Sequence, residues 1–276
     1  MELIFLLTGG EQSHCSLHKI AVVGCGWLGL PLAQSFLDRG YEVLGTTRNE
    51  DKLEKLSNLG IKMSLLNFTN SELEVAPHFF DDVTVCFLNI PPNRNEPSQY
   101  ANKCLAISKL LPEKCQLIFA SSTGVYLDVN KVIKEDELEH AAYRHDNPVL
   151  QAEKDLSASM GKQLTIIRFA GLIGPNRNPA SYFSGKSKIK SGLNPVNLIH
   201  LNDCVRLVQH VIDNDQFGHI IHACYDGHPA RMDYYSKVCK LLNIAEPEFI
   251  SQLDSWKIID SSYSQKMLSF DYLESL

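Results

Sequence analysis

Six residues, Gly24-Cys25-Gly26-Trp27-Leu28-Gly29, constrain this chain more than any other stretch. They have the spacing G-x-G-x-x-G. They follow the apolar run KIAVV (19–23) and open a helical pattern, Leu28 to Arg39, that stops at Gly40. A strand, a glycine turn and a helix in that order are the first unit of a dinucleotide-binding α/β fold. The first glycine permits the tight turn, the second lets a pyrophosphate approach the backbone, and the third lets helix and strand pack closely. The helix N-terminus adds free N–H groups and a partial positive charge for the phosphates. Gly24, Gly26, Trp27, Leu28 and Gly29 are therefore candidate cofactor-binding residues.

The alternation continues along the chain. YEVLGTT (41–47), IKMSLL (61–66), VTVCFLNI (83–90), QLIFASS (116–122) and LTIIRFAG (164–171) read as strands. Helical stretches over 51–60, 97–111 and 147–160 separate them, and Pro91-Pro92 end the run at 83–90. Strands apolar on both faces, joined through helices, require a parallel sheet with right-handed crossovers. The fold expected is a doubly wound parallel sheet, the Rossmann type, with a smaller C-terminal substrate lobe. The divisions are an N-terminal extension over 1–18, a dinucleotide-binding domain over 19–170, and a region over 171–276 that is mainly substrate lobe. Within the last, 196–214 is expected to pack back on the first domain. The stretch 174–195, rich in Gly, Pro, Ser and Asn, reads as loop. It is followed by a strand (NLIHL), a helix (NDCVRLVQHVID), a strand (GHIIHAC), a helix near 231–242 and a poorly patterned tail.

The end of the second strand bears on which dinucleotide binds. An Asp or Glu there would accept from the ribose 2′-OH of NAD. This chain has Thr46-Thr47-Arg48. Two hydroxyls and a guanidinium suit a 2′-phosphate, so NADP is preferred over NAD, with Thr47 and Arg48 as its ligands.

Composition narrows the functional classes. In 276 residues, 26 Lys+Arg against 32 Asp+Glu give a net charge of −6, which argues against a broad nucleic-acid surface. The eight cysteines (15, 25, 86, 104, 115, 204, 224, 239) form no CxxC pair and read as buried thiols of a reducing compartment. The opening MELIFLLTGG lacks a basic flank, and no 18-residue apolar run exists. A soluble cytoplasmic protein with a small-molecule partner, and with neither membrane nor metal involvement, is the expectation. Composition leaves the oligomeric state open.

Segments beyond the glycine turn carry a resemblance. LNIPP (88–92), SSTGVYLD (121–128), RFAGLIGPNRNP (168–179), NLIHLNDCVRLV (197–208) and HACYDGHPARMDYYSKV (222–238) are similar, in order and spacing, to the extended short-chain dehydrogenase/reductase family of epimerases, dehydratases and reductases. The resemblance is to an atypical branch and covers about residues 19–276. It implies an NAD(P)-dependent oxidoreductase or epimerase acting on a small polar, possibly sugar-nucleotide, substrate. It also implies a place for Pro91 beside the cofactor. Counting back four from Tyr126 puts the family's hydrogen-bonding hydroxyl at Ser122. The family's Tyr-x-x-x-Lys pair is missing. The corresponding helix reads NPVLQAEKDL, and stepping back from Glu153 puts Val149 at the lysine and His145 at the tyrosine. Ser122, Tyr126 and His145 are the candidate catalytic residues, with Tyr143 as a further proton donor. Arg168 and Pro175 resemble positions framing the nicotinamide and the start of the substrate lobe. Arg177, with Lys186 or Lys188, is a candidate contact for an anionic substrate. The alternative is a catalytically inactive NADP-binding regulatory or sensor protein.

Overall fold

The computed structural model describes residues 18–69, 72–93 and 95–274. The expected extension lies outside them except for His18. β1 (Lys19–Val23), β2 (Glu42–Thr47), β3 (Lys62–Thr69), β4 (Glu72–Val75), β5 (Val85–Leu88), β6 (Gln116–Ser122), β8 (Leu164–Phe169) and β11 (Ile220–Ala223) form one sheet in the order β11-β8-β6-β5-β1-β2-β3-β4. β7 (Lys131–Ile133) lies outside it. Every pairing in the large sheet is parallel except β3 with β4. The interior strands are buried on both faces: all four residues of β5 and all six of β8 are enclosed. That burial on both sides requires helices on each face.

Those helices are α1 (Gly29–Leu37), α2 (Glu50–Ser57), α3 (Tyr100–Ser108), α4 (Pro148–Met160) and α6 (Leu201–Asp213). Local chemistry sets their ends. Asn49 caps α2 by accepting from Asp51 N–H at 2.8 Å, and Asn147 caps α4 by accepting from Val149 N–H at 2.8 Å. Pro148 then occupies the first helical position, where its missing donor costs nothing. Gly40 and Gly60, both at positive φ, follow α1 and α2.

The smaller lobe holds α5 (Ala180–Phe183), α7 (Arg231–Leu241) and the parallel pair β9 (Gly171–Ile173) with β10 (Leu198–His200). Its core is a separate cluster of Ala180, Val196, Leu198, Tyr234, Tyr235 and Cys239. β12 (Lys257–Ile259) pairs with β7, and α8 (Ser262–Leu268) follows. Two features differ from the sequence expectation. β4 was not expected: its Glu-Leu-Glu-Val alternation is short, and its acidic residues mark an exposed sheet edge. β11 and the tail through Phe270 join the first domain, so the return to it extends well past residue 214. Asp203 anchors the tail, accepting from Leu273 and Glu274 N–H at 3.1 and 3.0 Å. His200 caps α6, accepting from Asn202 N–H at 3.2 Å. The described cysteines are all buried and unbridged, with burial pushing the Cys25 thiol up to about 11.

Candidate cofactor and substrate site

In a doubly wound sheet, ligands bind where strand order reverses, outside the carboxyl ends of the strands. Here that point lies between β1 and β5, neighbours separated in sequence by β2, β3 and β4. The glycine turn after β1 and Asn89-Ile90-Pro91 after β5 meet there, on a cavity of about 640 Å³ that also takes in Thr47 and Arg48 from the end of β2.

The glycines divide the work as the spacing implied. Gly24 has φ +99°, and a Cβ on it would stand 2.6 Å from the Asn89 carbonyl oxygen. A Cβ on Gly29 would stand 2.2 Å from the Gly24 carbonyl oxygen. Both contacts exclude a side chain. A Cβ on Gly26, which lines the cavity, would meet nothing within 4 Å. Space is thus kept open at the position where a pyrophosphate approaches. α1 also begins with no side-chain cap and no acidic residue in its first turn, so no side chain competes with a ligand for that end of the helix. These residues fit a dinucleotide. Leu28 is 3% exposed and belongs to the core, so its backbone alone is available to a cofactor. Trp27 turns to the other lobe. Its Nε1–H donates to the Pro175 carbonyl at 2.8 Å, and the Arg177 guanidinium lies 5.0 Å from its ring centre.

Arg177 also lines a second cleft of about 640 Å³ with Asn197 and Arg231, and a smaller one adjoins it beside Thr123, Gly124, Trp256 and Lys257. No Asp or Glu lines the larger cleft among the described residues. Arg231 lies against the packed rings of Phe183 and Phe249, 5.4 Å from each centre. Sequence reasoning passed over Arg231, because nothing in its local pattern distinguishes it from a solvated helix residue. Lys188 and Lys186 line neither cleft; Lys186 lies 3.3 Å over the Tyr182 ring.

The expected catalytic residues do not converge. Ser122 stands at the end of β6, and its Oγ accepts from Gly124 N–H at 3.0 Å. Tyr126 is wholly buried. Its hydroxyl lies 2.6 Å from His222 Nε2 and accepts from Arg168 Nη1, so it belongs to the core and not to the cleft. Burial, outweighing the Arg168 charge, pushes its pKa above the usual phenol range. Arg168 likewise is 3% exposed, clamped by Glu153 at 2.6 and 2.9 Å, and does not frame a ligand. His145 is exposed and lies before Asn147, the cap of α4, so the helical four-residue spacing to Val149 does not exist. Tyr143 donates to the Leu138 carbonyl at 3.3 Å with its ring against Tyr126.

The buried group has a simple origin. Ser121, Arg168 and His222 are register partners across β6, β8 and β11, so their side chains share one face of the sheet. Ser121 Oγ donates to Glu153 at 2.5 Å, and His222 Nδ1 donates to the Asp260 carbonyl at 2.8 Å. Burial lowers the His222 pKa to about 4, keeping the ring neutral and able to accept from Tyr126. Glu135 accepts from the backbone N–H of His222 and of Ser264. Burial pushes its pKa up to about 7 against those two hydrogen bonds.

Fold and glycine turn together define a doubly wound α/β protein of the dinucleotide-binding, Rossmann type. The chain belongs to the family of Protein YeeZ from Escherichia coli strain K12, with which it is 34% identical over 265 residues, covering 93% of this chain and 96% of that protein. Residues 19–151 match the family described as the NAD binding domain of 6-phosphogluconate dehydrogenase. Among solved structures, UDP-glucuronic acid 4-epimerase from Bacillus cereus in complex with NAD aligns with a TM-score of 0.72 at 17% identity, covering 93% of this chain and 94% of that one. Vestitone reductase from alfalfa aligns with a TM-score of 0.71 at 16% identity, covering 93% and 94%. At such identities the likeness is one of fold. No helix among the described residues is long and apolar enough to cross a membrane.

Proposed function

We propose that this chain is an NADP-dependent oxidoreductase or epimerase acting on a small polar, anionic substrate, with a sugar nucleotide as the first class to try. The observation that carries this reading is the cavity at the strand-order reversal, lined by Gly26, which leaves it open, and by Arg48. When bound, NADP supplies the hydride acceptor. The chain's own residues would bind it through the glycine turn, Thr47, Arg48 and Pro91. Arg177 and Arg231 would hold the substrate's charge in the second cleft, and Ser122 would hydrogen-bond the reacting oxygen. UDP-glucuronic acid 4-epimerase supports a charged sugar nucleotide; vestitone reductase supports a reduction.

A second reading is a dinucleotide-binding regulatory protein without chemistry. It is favoured by one observation: the positions of the family's Tyr and Lys hold His145, which is exposed, and Val149, which is half-buried, and Tyr126 is sealed in the core. Loss of nicotinamide absorbance with NADPH and a panel of keto-sugar nucleotides, read beside epimerised product formed from sugar nucleotides with NADP, separates the two, because an epimerase returns its hydride and leaves the absorbance unchanged. Turnover that falls in Ser122→Ala supports the enzyme. Tight NADPH binding with no turnover on any member supports the sensor.

A further inference from the structure

The spacing of the glycine turn leaves position 27 unconstrained, and this chain places one of its two tryptophans there. Trp27 is half-buried and does not line the cavity that its neighbours Cys25 and Gly26 line. Its side chain crosses instead to a tight turn, Gly174-Pro175-Asn176-Arg177, just after β9. That turn is closed on itself. Gly174 N–H donates to the Arg177 carbonyl at 3.1 Å, and Arg177 N–H donates to the Gly174 carbonyl at 3.0 Å. The indole N–H donates to the Pro175 carbonyl in the middle of it at 2.8 Å. A Cβ on Gly174, at φ +150°, would stand 3.2 Å from Trp27 Cζ2, so glycine there lets ring and turn lie this close.

The turn carries Arg177, which lines the second cleft with its guanidinium 5.0 Å from the centre of the Trp27 ring. Arg177 is exposed. An exposed arginine keeps wide rotamer freedom, and an anion must remove that freedom on binding. A ring face held beside the guanidinium removes part of it beforehand. The ring is itself fixed by its N–H bond. Residue 27 thus has its backbone in the dinucleotide turn and its side chain against the arginine of the other cleft.

Resting on the dinucleotide and substrate readings above, we propose that Trp27 is a positioning residue: its indole presets Arg177 for an anionic substrate and couples that hold to occupancy of the dinucleotide site. A dinucleotide that orders residues 25–27 steadies the indole, and a steadier indole lowers the cost of ordering Arg177. Linkage requires the substrate to tighten the dinucleotide by the same factor.

The test is calorimetric binding of UDP-glucuronic acid to the full chain, with and without saturating NADP, in the unaltered protein, Trp27→Phe, Arg177→Ala and the double variant. NADP should tighten UDP-glucuronic acid about fivefold or more in the unaltered protein and about twofold or less in Trp27→Phe. In the NADP-loaded state Arg177→Ala should weaken the probe about tenfold. Trp27→Phe, which keeps a ring but loses the N–H, should weaken it about threefold. The double variant should bind no worse than Arg177→Ala, because Trp27 acts through that side chain; a merely structural ring would give losses that multiply. A second measurement needs no substrate. In Trp256→Phe the sole tryptophan is Trp27, and its emission should shift on adding NADP and again in Arg177→Ala. Multiplying losses, equal tightening by NADP in Trp27→Phe and the unaltered protein, or an emission indifferent to both changes would overturn the role of Trp27 and leave both sites standing. Failure of the unaltered protein to bind NADP, or of the loaded protein to bind UDP-glucuronic acid, would instead remove the readings on which the inference rests, and the inference with them.

Discussion

Gly26, Thr47 and Arg48, at the ends of β1 and β2, line an open cavity, whereas Ser121, Arg168 and His222, on β6, β8 and β11, are sealed and joined through Glu153 and Tyr126. Both sets sit toward the carboxyl edge of one parallel sheet. At one end, small residues and exposed cations leave room and charge for a ligand. At the other, Glu153, Tyr126, Glu135 and the Asp260 carbonyl supply the partners from within. Burial decides the difference: a buried charge must find protein partners, while an exposed one can wait for a ligand. A sheet edge of one fold can thus hold a binding site and a structural polar core side by side.

The contrast predicts mutations that damage one region and spare the other. Arg168→Ala leaves Glu153 buried without its partner and should cost about 3–5 kcal/mol of stability, measured by denaturant unfolding. In the fraction still folded, dinucleotide affinity should change by no more than about twofold, because the sites share no partners. A large loss of affinity would show that the sealed region belongs to the binding site. Gly26→Asp is the converse. Nothing lies within 4 Å of the new Cβ, so the fold should persist. The carboxylate would stand in the phosphate path and weaken dinucleotide binding at least a hundredfold, about 2.7 kcal/mol. Unchanged affinity by calorimetry would break the assignment of the glycine turn.

Tyr126→Phe should cost about 1–3 kcal/mol, since it leaves His222 Nε2 and an Arg168 N–H unpaired. Its effect on NADPH binding should be nil. The smallest effect concerns pH. His222, ordinarily 6.5 and lowered to about 4, contributes stability that is present above pH 6.5 and lost as pH falls toward 4. Glu135, ordinarily 4.5 and raised to about 7, contributes in the opposite sense, losing stability as pH rises through 7. Between pH 4.5 and 6.5 the two oppose, so this pair should leave stability nearly flat. Glu135→Gln should unmask a fall in melting temperature as pH drops from 6.5 to 4. A variant with the unaltered profile would show that these groups do not titrate as their burial requires.

Much of the binding half was legible from sequence because its signals are local. The run KIAVV, the turn after it and Thr46-Thr47-Arg48 lie within thirty residues, and each constrains backbone or charge on its own. The other half depends on distant partners. Tyr126 is buried by Arg168 and His222, 42 and 96 residues away, and no local pattern reveals that. His145 entered as a candidate through an assumed helical spacing, which Asn147-Pro148 cancels by starting α4 later. The tail after residue 257 lacks periodicity of its own, and its place is set by Asp203 and Glu135.

The most direct test of the central claim is thermal melting of the unaltered protein and of Gly26→Asp, each with NADPH, NADH or no ligand. At a hundred times its dissociation constant a ligand adds about 2.7 kcal/mol, a shift that a melt resolves. The account predicts a clear rise with NADPH, a smaller rise with NADH at equal concentration, and none for Gly26→Asp with either. Equal rises in both proteins, or no rise in the unaltered one, would contradict it.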